Sequence, residues 1–160
     1  MTTTRGTGAR MMATGLLAAL LTVAVPWSPA WAQGLLPYQD ADAVARGKAV
    51  YDGYCAACHG ADLEGEPDWW TRDADGYLPA PPHDETGHTW HHPDMQLLQI
   101  TWLGTEAIVG NGYKSRMMGF QDVLTPDEVA EVLAYIKSTW PAHIIERHNE
   151  VNASAATAAQ

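Results

Sequence analysis

The pentapeptide Cys55-Ala56-Ala57-Cys58-His59 constrains this chain more than any other segment of it. Residues three and four positions apart on a helical turn share one face, so two thiols and an imidazole are presented together. A disulfide-exchanging pair wants a strand ahead of it in a βαβ unit, whereas Gly47 to Tyr54 reads as helix. A structural zinc site wants a second Cys or His pair at finger spacing, and none is obvious in the sequence. Covalent attachment of haem accounts for the motif: the thiols of Cys55 and Cys58 add to the two vinyl groups, and His59 reaches the iron as the proximal axial ligand. A single motif means one haem c.

These are the only two cysteines among 160 residues. Once both are thioethers no disulfide can staple the fold, although the expected compartment is oxidising. Residues 1–32 read as a cleaved secretory signal, with Arg5 and Arg10, an apolar run from Leu16 to Val25 and a small-x-small site at Ala30-Trp31-Ala32. That run is short of the roughly 20 residues that span a bilayer, and no second one follows. The expectation is therefore a periplasmic or otherwise exported protein without stable membrane insertion. Loss of the leader leaves seven basic against nineteen acidic residues, a formal charge of −12. Such a surface argues against nucleic acid and favours a partner with a basic docking patch, met faster at low salt.

The remaining 128 residues suit one domain with a modest core. Asp40 to Gly53 reads as a first helix with Asp40 or Asp42 as cap, and Val44, Gly47, Val50, Tyr51 and Tyr54 are available for its inner face. From Ala61 to His92 the density of Gly, Pro, Asp and His predicts long loops. A middle helix is expected over Asp94 to Leu103, with Met95, Leu98 and Trp102 at helical spacing. Thr125-Pro126-Asp127-Glu128 carries the signature of a capped helix start, and Pro141 stops or kinks that helix after about Thr139. Beyond it, residues 142–160 read as an extension, a short helix to about Glu150 followed by a disordered tail.

Iron bearing His on one face and Met on the other has a raised potential and no open site, which suits one-electron transfer. The candidates for the second ligand are Met117 and Met118, which lie in a loop ahead of the capped helix. Here the chain resembles the bacterial monohaem class I cytochromes c over roughly Ala41 to Pro141. The likeness rests on Arg46-Gly47-Lys48-Ala49-Val50-Tyr51 before the haem motif, on Met117-Met118-Gly119-Phe120 and the residues to Leu124, and on Val132-Leu133-Ala134-Tyr135-Ile136-Lys137. It implies an all-α fold in which three to five helices wrap one covalent haem, with long loops, and a haem domain over residues 33–141. It further implies that Met117 is the ligand, with Met118 standing where the family carries a proline. By the same resemblance the first and last helices cross at Gly47, with Tyr51, Val132 and Tyr135 in the contact. Pro81 supplies a carbonyl to the proximal imidazole, and the Trp90 indole N–H holds a haem propionate.

The implied function is a one-electron carrier between redox proteins such as a dehydrogenase, an oxidase or a membrane complex, and not an enzyme. Two other readings stay open. A labile sixth ligand would make a haem enzyme or gas sensor. The cluster His83, His88, His91 and His92, which the family pattern does not require, could bind copper.

Overall fold

The computed structural model describes residues 1–2 and 34–159; the expected signal segment falls outside the described residues apart from residues 1–2. The order of elements is α1 (Ala41–Tyr54), α2 (Ala56–His59), a 3-10 turn (Thr89–His91), α3 (Asp94–Leu103), α4 (Thr105–Val109), α5 (Pro126–Ser138) and α6 (Ala142–Ala158). No β-strand occurs among the described residues, so the all-α expectation holds. Among the described residues there are six α-helices, against the three to five expected. The short ones, α2 and α4, are little more than single turns.

Helix α1 begins where Asp40 accepts hydrogen bonds from the Asp42 and Ala43 amides, 2.9 and 3.2 Å. Its buried face is Ala43, Gly47, Val50 and Tyr51, while Val44 is half-buried and Tyr54 is exposed. It crosses α5 at Gly47, where a Cβ would fall on the Glu131 carbonyl. Only glycine allows that approach. Tyr51 meets Tyr135 at the crossing, ring centroids 5.4 Å apart, and Val132 and Leu133 complete a core with Leu97, Leu124, Ile136 and Trp140. Helix α5 opens with both halves of a capping box, the Thr125 side chain on the Glu128 amide and the Glu128 carboxylate on the Thr125 amide.

Two expectations need correction. Helix α3 has the expected bounds, but it buries Asp94, Leu97 and Thr101; Leu98 and Trp102 are partly buried against the core and Met95 is exposed. The reason lies at its first turn, where the Asp94 carboxylate accepts from the Leu35 and Leu36 amides at 2.5 and 3.3 Å and so turns that end of the helix inward. The residues after Glu150 are not a disordered tail. Helix α6 continues to Ala158, because Asn152 on its inner face accepts the Asp94 amide at 2.8 Å and His148 is fully buried beside it.

Candidate functional site

Helix α1 runs into the thiol turn without a break, Cys55 being the C-cap of one helix and the N-cap of the next. The two cysteines are not joined to each other, and Cys55 is half-buried while Cys58 is exposed. Burial pushes the Cys55 thiol up to about 11, the nearby Cys58 adding to the rise, so it stays protonated at neutral pH. Gly60 ends the turn at φ +81, and its carbonyl accepts the Tyr51 hydroxyl at 2.8 Å. The core tyrosine thus fixes where the haem motif stops.

His59 is buried. Its Nδ1 lies 2.8 Å from the Pro81 carbonyl oxygen; a carbonyl can only accept, so Nδ1 carries the proton and Nε2 keeps its lone pair. Desolvation lowers the pKa of the ring, against a smaller opposite effect of the Pro81 bond, and keeps it neutral. The Pro81 carbonyl is brought there by a clasp between two loops. The Gly65 amide bonds the His59 carbonyl and the Glu66 amide bonds the Ala80 carbonyl, each at 2.8 Å, and Ala80 returns a bond to the Glu66 carboxylate at 2.6 Å. Gly65, at φ +68, permits the contact, since a Cβ there would strike the Pro81-Pro82 backbone. Two thiols on one turn and a neutral imidazole with a bare Nε2 are the donor set that covalent haem attachment needs, and the residues fit it.

Met117 sits half-buried on a separate loop, with Met118 70% exposed beside it. That loop is seated on the end of α3: the Phe120 and Gln121 amides bond the Thr101 and Trp102 carbonyls at 3.0 and 3.1 Å, and Gly104 bridges to Met118. Gly104 and Gly119 are both pressed against opposing backbone, which leaves no room for a Cβ at either. An open cavity of about 530 Å³ is lined by Leu103, Ala107, Arg116 and both methionines, but by no residue of the thiol turn. From the other side the loop is strapped by Arg116, which pairs with Asp73 at 2.6 Å and lies over the Tyr77 ring at 4.4 Å.

Trp90 lies in the 3-10 turn after the Pro81 segment. Its indole N–H donates to the Glu85 carbonyl at 3.3 Å, so a backbone group within its own loop takes the donor. The four histidines do not converge. His83 stacks on His59, His91 lies against Trp90, and only His88 and His92 meet each other, edge-on at 5.4 Å, with His88 also stacked on Trp69 at 5.2 Å. No set of three His, Cys, Asp or Glu side chains able to hold a metal ion occurs among the described residues. Sequence reasoning missed the role of His83 as a neighbour of His59; the histidine density was the only signal, and it carries no direction.

The pattern of the cytochrome c family matches residues 44–140, well over half of the chain. No curated protein and no solved structure matches it. The matched span opens inside α1 and closes at the tryptophan after α5, so it takes in the thiol turn, the Pro81 clasp and the methionine loop together, and the chain belongs to the cytochrome c family.

Proposed function

We propose that this family member is an exported, bacterial-type monohaem class I cytochrome that carries one electron at a time, with His59 and Met117 as axial ligands. The observation that carries the reading is the His59–Pro81 bond, which presents one buried, neutral imidazole with its coordinating nitrogen free. When bound, the haem supplies the one-electron ferric/ferrous couple. The chain then has to hold its ligands still, so that little rearrangement opposes the transfer. Pro81 fixes the imidazole tautomer, and the pressed glycines at 104 and 119 hold the methionine loop against α3. The electron comes from one redox protein and leaves to another, each docking through a basic patch on the acidic surface. A periplasmic site of action follows from the expected leader, and no helix of the described residues is long and apolar enough to cross a membrane.

The ferric protein at neutral pH tests this. Low-spin haem with the weak methionine-to-iron charge-transfer band is expected; high-spin haem, or ready uptake of carbon monoxide by the ferrous form, would point to an enzyme or sensor instead. Met117→Ala should abolish the band and Met118→Ala should keep it. The reverse pattern would move the ligand to Met118.

A further inference from the structure

One histidine of the 83–92 loop is drawn against the haem-attachment histidine, and the carrier reading gives it no part. The His83 ring lies face to face on the His59 ring, centroids 4.0 Å apart and planes inclined by 23°. Three contacts that do not involve His59 hold it there. Its Nδ1 is 2.8 Å from Thr89 Oγ1, its amide donates to the Leu63 carbonyl at 2.8 Å, and its carbonyl accepts the Trp140 indole N–H at 2.7 Å. Thr89, Leu63 and Trp140 are themselves buried and come from three separate segments. His83 is therefore fixed independently of the ring it touches.

Pro81 alone leaves the His59 ring one freedom. A bond at Nδ1 sets the tautomer and one point of the ring, but the last torsion of a histidine side chain is broad, and the ring can still swing about that point. A flat, anchored neighbour on its face removes the swing. An aliphatic side chain would fill the same space without dictating an angle. We propose that His83 is a positioning residue which, by stacking, sets the plane of the axial imidazole, with Thr89 holding the stacking ring in turn. This rests on the reading of His59 as axial ligand.

The test uses haem-loaded wild type, His83→Ala, His83→Phe and Thr89→Val. Electron paramagnetic resonance of the ferric proteins reports the imidazole plane, and redox titration gives the potential. The expected results are a single narrow set of g-values in wild type, a broadened and displaced set with a shifted potential in His83→Ala, and a smaller displacement in both His83→Phe, which keeps a flat ring without the Thr89 bond, and Thr89→Val. Thr89→Val keeps the packing volume and removes only the anchor, so it carries the test if His83→Ala fails to mature. Wild-type g-values and potential in the Ala and Val variants would overturn the proposal, as would a Phe variant that behaves like Ala. Nitrogen couplings from an axial imidazole in the wild type separate the two levels: their absence overturns the ligand reading and this inference together, whereas their presence with unchanged variants overturns the positioning role alone.

Discussion

Gly47 has one task, and it can be checked by a single methyl group. Its backbone meets the Glu131 carbonyl across the α1–α5 crossing, with no space for a Cβ. Gly47→Ala has to push the helices apart, which disturbs the Tyr51–Tyr135 contact at the centre of the core. Overpacking of this kind costs about 1–3 kcal/mol, and guanidinium unfolding of the haem-loaded protein should register that loss. An unchanged midpoint would mean that the crossing can relax. Gly65→Ala makes a different demand, because a left-handed φ and a collision with Pro81-Pro82 coincide there. Its expected effect is on the His59–Pro81 bond, read as a changed reduction potential with α1 and α5 intact by circular dichroism.

Helix ends and one helix length carry the next predictions. The Thr125–Glu128 capping box is local, with both bonds made within four residues, so Thr125→Ala should cost about 1 kcal/mol and leave the haem spectrum unaltered. Helix α6 is held from outside itself. Asn152 accepts the buried Asp94 amide at 2.8 Å, and His148 donates through Nε2 to the His92 carbonyl at 2.9 Å. Both bonds join α6 to the start of α3. Asn152→Ala leaves a buried amide without an acceptor, an expected loss of about 1–3 kcal/mol together with faster hydrogen exchange over 142–158. If exchange in that segment is already as fast as in an unfolded peptide, α6 is not clasped in this way.

At the scale of the whole molecule, pH dependence follows from a histidine buried without charge. Desolvation, reinforced by the Lys137 ammonium and opposed by Asp94, lowers the pKa of His148 below its ordinary 6.5. As pH falls below 6.5 the unfolded chain takes up a proton that the folded chain still refuses, so stability is complete above 6.5 and declines below it. The thermal midpoint should therefore fall between pH 7.5 and 5.5, and fall less in His148→Phe; equal slopes would remove His148 as the cause. The acidic surface adds a second dependence. Association with a basic redox partner should slow as ionic strength rises, since the screening length is about 10 Å at 0.1 M salt.

What the sequence determined by itself is whatever depends on neighbours along the chain. The thiol turn, a cap at Asp40 or Asp42, the Thr125 capping box and the bounds of α3 were all legible, because helix starts, stops and faces are set by residues within one or two turns. The crossing at Gly47 was legible for a related reason, since glycine within a helix marks a close approach. Tertiary structure decided everything that depends on which loop meets which. The Asp94–His148–Asn152 cluster rotates the α3 face and extends α6, and Asp94 lies 58 residues from Asn152 along the chain. A polar side chain that looks solvated in sequence can be buried when a distant partner satisfies it, and no local pattern encodes that partner. The same holds for the histidine loop. Its composition drew attention to four imidazoles, but only the folded chain laid His83 on His59, turned Trp90 back on its own loop and set His88 edge-on to His92.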